Sequence, residues 1–400
     1  MKKIKNHFRT WIELDKKALE HNVRQFLKLI PKRTRLMAVV KSNAYGHGLV
    51  QTAEFLANQT RINSRIFANK NSRLISDKLW FGVDSIVEAL RLREEGIKNP
   101  ILVLGSTLPN RMKEAAEKNI ILTISNFESL SSLIRVYPVR SRVSNGAGKR
   151  IAFHLKIDTG MHRQGFLFSD VPKLIKFLKH FRLSPHGVYT HFASKDWGYP
   201  IYTQKQFSEF KKILSLFQRG GFGNLIRHAA ASDTTLLFPE THLDMVRVGM
   251  VLYGYWSSWV AKVKHPPQMV LKPILTWKTI VVEVKEIPAG SYVGYDLTER
   301  VSQKTKIAVL PVGYWHGIDR GLSSIGEVLI RGRRRKVLGR VSMDMVVVDV
   351  TDKPHVKVGN EAVLLGKQGK DAIWADEIAL KIGTSAYEVL TRINPLIERN

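Results

Sequence analysis

From about residue 11 to residue 255, short apolar runs alternate with longer amphipathic ones. Leu36–Val40, Ile101–Leu104, Ile120–Ile124, Ile151–Ile157 and Gly187–Thr190 have the length of strands. Ala18–Leu29, Leu49–Asn58, Ser85–Glu95 and Thr203–Gln218 repeat apolar residues at helical spacing. A strand-then-helix repeat predicts a parallel sheet with right-handed crossovers. The number of such units over about 250 residues predicts a closed (β/α)8 TIM barrel rather than an open sheet. After residue 265 the pattern changes. Leu275–Val284, Ile307–Val312, Glu327–Ile330 and Met345–Val350 are β-rich and punctuated by Gly and Pro, with no helical pattern until Asp376–Lys381. The fold class is therefore α/β, an N-terminal barrel over 11–265 followed by a predominantly β domain over 266–400, with residues 1–10 packing on the latter. Pro266, Pro267 and Pro273 mark the boundary, and the polar segments Arg61–Lys78 and Arg140–Arg150 read as loop insertions.

Composition narrows the chemistry. The absence of cysteine excludes disulfides, thiolate metal sites and cysteine nucleophiles, and no metal is expected. The basic start MKKIKNHFRT has no apolar run after it, and no stretch approaches the roughly 18 apolar residues of a membrane span, so a cytoplasmic protein is expected. The net charge of +29, from 63 Lys and Arg against 34 Asp and Glu, raises a polyanion-binding surface as a rival to catalysis. Its densest run, Arg331 to Lys336, lies between two apolar runs and reads as a hairpin tip; Lys173, Lys176 and Lys179 read as a solvated helix face.

The apolar run Met37–Val40 ends at Lys41, and Gly46 and Gly48 follow. A lysine at the C-terminal mouth of a barrel strand stands where barrel enzymes do chemistry. Desolvated there, it can lose its proton and form a Schiff base; a plain surface lysine is the alternative.

Six segments in order widen the picture. Met37-Ala-Val-Val-Lys41-Ser-Asn-Ala-Tyr45-Gly-His-Gly48 resembles the cofactor-lysine signature of the alanine racemase family. Lys156-Ile-Asp158-Thr-Gly-Met-His-Arg163 is similar to that family's carboxylate-binding segment, and Thr190-His191-Phe-Ala-Ser-Lys-Asp196 to its ring-stacking histidine segment. Met245-Val-Arg247-Val-Gly249-Met-Val-Leu-Tyr-Gly254 resembles its cofactor-nitrogen and phosphate segment. Val293-Gly-Tyr295 and Gly339-Arg340-Val-Ser-Met343-Asp344 resemble its two second-domain segments.

The resemblance implies pyridoxal 5'-phosphate, which supplies an electron sink for an amino acid's Cα carbanion, and interconversion of L- and D-alanine for peptidoglycan. It implies two bases, Lys41 on one face and Tyr295, from the partner in a homodimer, on the other. A phenol with its ordinary pKa of about 10 is a poor base, so cations such as His191 or Arg163 would have to favour phenolate. Arg247 would face the pyridine nitrogen, and because a guanidinium keeps its proton that nitrogen would stay unprotonated. Gly249 and Met250 would offer phosphate amides, and Ser232, Tyr45 and Tyr387 hydroxyls. Tyr387 would also crowd the side-chain pocket in favour of alanine. Arg163 and the Met343 amide would hold the carboxylate. Lys156 matches a lysine often carbamylated in the family, and Asp196, Tyr314, Arg320 and Arg340 match its polar access corridor. Read without the resemblance, Tyr295 is a packed aromatic, Arg247 a structural ion-pair partner and the remaining residues ordinary polar positions.

The sequence also departs from the family pattern. Trp315-His316 stands where a small residue and Asp are common, Asp296 where Gly is common, and His228-Ala-Ala-Ala-Ser232 where an Asn-Ser-Ala-Ala type is usual. These departures leave open a broader racemase acting on serine or basic amino acids. A polyanion binder without catalysis is the reading from another class.

Overall fold

The computed structural model describes residues 8–62, 78–136, 151–194, 200–267, 269–352 and 355–400. The expected insertion 140–150 lies outside these residues, as does 61–78 apart from residues 61, 62 and 78. The chain forms two compact units, one of residues 20–44 and 52–272, the other of residues 1–19, 45–51 and 273–400.

The first unit is built on eight parallel strands: Arg35–Val39, Leu79–Val83, Ile101–Val103, Leu122–Ile124, Phe153–Lys156, Gly187–Tyr189, Ile226–His228 and Met245–Val248. Neighbours pair in chain order, the first pairs with the last, and a parallel bridge between Leu102 and Ile121 joins the remaining edges into a ring. Every residue of Leu79–Val83 and of Met245–Val248 is buried, as expected for strands covered on both faces. The intervening helices are amphipathic. In Val171–His180 the apolar positions Val171, Leu174 and Leu178 are buried while Lys173, Lys176 and Lys179 are exposed, which is the solvated face read from the sequence.

The second unit is a mostly antiparallel sheet in which Glu283–Ile287, Thr305–Leu310, Val346–Asp349, Arg333–Leu338, Glu327–Ile330, Glu361–Gln368, Leu275–Ile280, Thr10–Leu14 and Glu398–Arg399 lie side by side. Thr10–Leu14, which the sequence expectation divided between the domains at residue 10, pairs antiparallel with Leu275–Ile280 and parallel with Glu398–Arg399. The run Leu275–Val284 splits, because Val281 and Val282 leave the first strand and bond Asn360 O and Val309 O.

The basic run differs from its expected form. Only Arg331 and Gly332, both at positive φ, make the turn, in keeping with a tight two-residue hairpin. Arg333–Lys336 continue along the strand. There Arg334 meets Glu327 at 3.0 Å, Asp371 and Glu377, and the hydrogen bond it donates to Glu377, followed by that to Glu327, raises its pKa against the opposing effect of burial. Buried Arg335 meets Asp352 at 2.5 Å, and Lys336 meets Glu299 at 2.8 Å. The densest cluster of positive charge is thus largely spent on intramolecular partners rather than offered to a polyanion. Among the described residues no helix is long and apolar enough to cross a membrane.

Candidate active site

The strand Arg35–Val39 delivers Lys41 to the C-terminal end of the barrel, where its Nζ lies 3.5 Å from Asp84 Oδ1. The next four residues make the turn, and none of them is glycine. Ser42, Asn43, Ala44 and Tyr45 all take left-handed conformations, with φ between 52° and 55°. Each such non-glycine residue costs roughly 1–2 kcal/mol, so the surroundings must impose the conformation. They do so through Ala44 N–H, which donates to Val40 O at 2.8 Å, and Asn43 N–H, which donates to Glu88 Oε1 at 3.2 Å. Gly46 is required by close approach, since a Cβ there would lie 2.0 Å from Leu390 O.

Lys156 is buried at the end of its own strand, with Gln164 Oε1 at 3.5 Å and its ammonium 5.6 Å from the centre of the Tyr189 ring. Burial, then the nearby cations Arg163, Arg247 and Lys41, push its pKa down to about 8; Asp158 opposes them. Asp158 Oδ1 accepts the amides of Gly160, Met161 and His162 at 2.9, 2.9 and 3.0 Å, which shapes the loop that carries exposed Arg163.

Arg247 is 4% exposed and its pKa is brought down to about 10 by burial, so it carries its charge at neutral pH. Its Nη2 donates to Thr190 O and Ala229 O at 2.8 Å each and lies 3.1 Å from His191 Nδ1; its Nη1 lies 2.9 Å from His228 Nδ1. No carboxylate takes part in these bonds, so the ion-pair alternative read from the sequence does not describe Arg247. A cation held by neutral acceptors keeps its field for a ligand.

Buried Ser232 accepts the Gly249 amide at 3.1 Å and keeps its own O–H to donate. The Gly249 amide, expected to face the cofactor phosphate, is therefore already engaged. Met250 opens a 3₁₀ turn whose first internal bond runs from Leu252 N to Gly249 O, so the Met250 amide precedes it without an intrahelical partner.

The other candidates belong to the β unit. Tyr295 is 69% exposed, on a turn that also contains Asp296 and Leu297 at positive φ. Asp296, the departure from glycine, lies 2.7 Å from Arg340 Nε, so this turn is tied to the loop that bears Met343. The backbone amides of Tyr314 and Trp315 bond Ser342 O and Met343 O at 3.0 Å each. Gly313 makes room for this pairing, since a Cβ there would lie 2.1 Å from Ser342 O. Met343 and Tyr314 are exposed, and Arg320 sits on a separate exposed turn. The rings of Tyr45 and Tyr387 meet edge to face at 5.9 Å. Asp196 lies outside the described residues.

The barrel unit thus holds Lys41, Lys156, Arg163, His191, Ser232, Arg247, Gly249 and Met250, and the β unit joins the Tyr295 turn to Arg340 through Asp296, the Tyr314–Trp315 amides to the carbonyls of Ser342 and Met343, and Tyr45 to Tyr387. The sequence reading missed His154, Tyr189 and His228 as parts of the site. The available signal was period two: His154 and Lys156 are two apart on one strand, so they share its face.

Comparison with known proteins agrees with this picture. Residues 14–64 and 73–257 match the alanine racemase N-terminal domain, and residues 274–400 the alanine racemase C-terminal domain. The alanine racemase of Leptospira interrogans is 36% identical over 99% of this chain and 96% of its own length. That of Carboxydothermus hydrogenoformans is 38% identical over 97% of this chain and 98% of its own. The crystal structure of the Streptomyces lavendulae alanine racemase superposes with a TM-score of 0.85 at 32% identity, covering 99% of this chain and 97% of that one. The Bacillus anthracis alanine racemase with bound L-Ala-P gives 0.84 at 31% identity, covering 97% and 94%.

Proposed function

The chain belongs to the alanine racemase family, and we propose that it interconverts L- and D-alanine with pyridoxal 5'-phosphate at the barrel mouth, each site completed by a second copy of the chain. One observation carries the reading. Arg247, a cation that keeps its proton, is fixed by carbonyl and imidazole acceptors, and the buried amine of Lys156 feels both it and Lys41.

The donor set fits the cofactor. Lys41 offers an amine, the Ser232 hydroxyl and the Met250 amide suit a phosphate, and Tyr45 and Tyr387 add hydroxyls. Gly249 contributes indirectly by orienting Ser232. His191 would stack on the ring and Arg247 face its nitrogen. When bound, the cofactor supplies the electron sink that makes the Cα proton removable. The protein's own groups hold and move that proton: Lys41 Nζ serves one face and Tyr295 of the partner subunit the other. The exposure of Tyr295 and Met343 supports their meeting a second copy. Arg163 and the Met343 amide bind the carboxylate, and Tyr314, Arg320, Arg340 and Asp196 line the approach. A cytoplasmic role in supplying D-alanine for peptidoglycan follows from this reading.

Incubation with L-alanine and added cofactor tests it: D-alanine is the expected product, and none from folded, cofactor-loaded protein overturns the reading. Serine, lysine and arginine in the same assay show whether the Asp296, Trp315 and His316 departures widen the substrate range. Lys156 carries a separate prediction. An amine with a pKa of about 8 has an appreciable neutral fraction at physiological pH, and only the neutral form adds CO2. The resulting carbamate would exchange a positive charge beside Arg163 for a negative one. Protein equilibrated with 13C-bicarbonate is expected to show a carbamate resonance that Lys156→Ala removes; an unchanged resonance in that variant would place the modification elsewhere.

A further inference from the structure

Below Arg247 the barrel interior holds a group of rings that substrate chemistry does not require. The ring of His154 lies 5.1 Å from that of His228, 5.4 Å from His186 and 5.7 Å from Trp80. His154 and His228 stand on strands separated by Gly187–Tyr189, in register with Gly187 and Tyr189 respectively. They touch across that strand because Gly187 has no side chain: a Cβ there would lie 2.6 Å from His154 Cε1 and 2.7 Å from its Nδ1. Tyr189 stacks on His228 at 4.6 Å with 9° between planes, and its hydroxyl is fixed by Thr123 at 2.9 Å.

The proton positions follow from donor and acceptor rules. His154 and His228 are both fully buried, and burial, together with Arg247 and the neighbouring imidazoles, holds both well below the usual histidine range, so each ring is neutral. A guanidinium only donates. His228 Nδ1, 2.9 Å from Arg247 Nη1, must therefore accept, and the one proton of His228 sits on Nε2. That N–H points at His154 Nδ1, 2.8 Å away, which must accept in turn, leaving the His154 proton on Nε2. The His154 Nε2 has no partner among the described residues, so the chain ends there.

We propose that His154 is a positioning residue: its Nδ1 locks His228 in the Nε2–H tautomer, which keeps His228 Nδ1 as the acceptor that fixes the Arg247 guanidinium. Without this acceptor the buried His228 Nε2–H is stranded. The alternative tautomer sets Nδ1–H against Arg247 Nη1–H, donor to donor, and the guanidinium loses its orientation.

Long-range 1H–15N correlation on histidine-labelled wild-type protein tests the tautomers without any substitution. The expected result is a neutral Nε2–H ring for both His154 and His228; a proton on His228 Nδ1, or an imidazolium, overturns the proposal. His154→Leu is expected to abolish the Nε2–H signature of His228 and to lower kcat about tenfold with KM little changed, the scale of one lost buried hydrogen bond to a charged network. His154→Asn, whose amide oxygen can take the place of Nδ1, is expected to restore both. An unchanged His228 tautomer and kcat in His154→Leu, or equal impairment in the two variants, overturns the proposal. The kinetic arm rests on the racemase reading and the tautomer arm does not, so the two failures are distinguishable. If His154→Leu does not fold, the wild-type spectrum still decides.

Discussion

Lys41→Ala is expected to lower racemisation by at least about 10⁴-fold, because in the proposed site it removes both the covalent anchor of the cofactor and one of the two bases. Two readouts separate these losses. The visible absorption of cofactor-loaded protein should change from that of a lysine-linked cofactor to that of a free one. The phosphate contacts proposed for Ser232 and Met250 would be untouched, so cofactor should still bind but leave on dialysis. The variant should fold normally, since Lys41 is partly exposed and its ion pair with Asp84, at 3.5 Å, joins two partly exposed groups and contributes little to stability. Racemisation persisting in Lys41→Ala would remove this lysine from the reaction.

Tyr295→Phe is expected to lower racemisation by about 10²–10⁴-fold, the range for loss of one positioned acid–base group, with cofactor absorbance unchanged. The substitution removes only the hydroxyl of a side chain that is 69% exposed, so no packing loss competes with the chemical one. In D2O the variant should still exchange the Cα hydrogen of one enantiomer through Lys41 while failing to convert it into the other. Exchange of both enantiomers at the wild-type rate would show that Tyr295 is not the second base.

The sequence was legible where local rules govern. Alternating apolar and amphipathic runs placed five of the eight barrel strands, leaving Leu79–Val83, Ile226–His228 and Met245–Val248 unmarked, and a strand ending before Lys41 put that lysine at the mouth. The left-handed turn after it was not legible, because Ser42, Ala44 and Tyr45 individually disfavour positive φ and the conformation depends in part on a contact from far along the chain, Glu88 to the Asn43 amide. Nor does a period-two pattern name its partner: Thr10–Leu14 pairs with residues more than 260 positions away. Charge counting misjudged the Arg331–Lys336 run because the carboxylates that answer it, Glu299, Asp352, Asp371 and Glu377, lie elsewhere in the chain. The histidine pair beneath Arg247 escaped notice because the enabling feature is an absence, the missing side chain of Gly187 on the strand between them.

In the proposed site, Lys41 of one subunit and Tyr295 of the partner subunit serve opposite faces of the same substrate. Mixing Lys41→Ala with Tyr295→Phe, then dissociating and reassociating the dimers, tests it most directly. In a hybrid dimer one site carries both lesions and the other carries neither. Half of randomly paired dimers are hybrids, so about a quarter of wild-type activity is expected to return from two inactive proteins. No recovery, with subunit exchange demonstrated, would contradict the shared site.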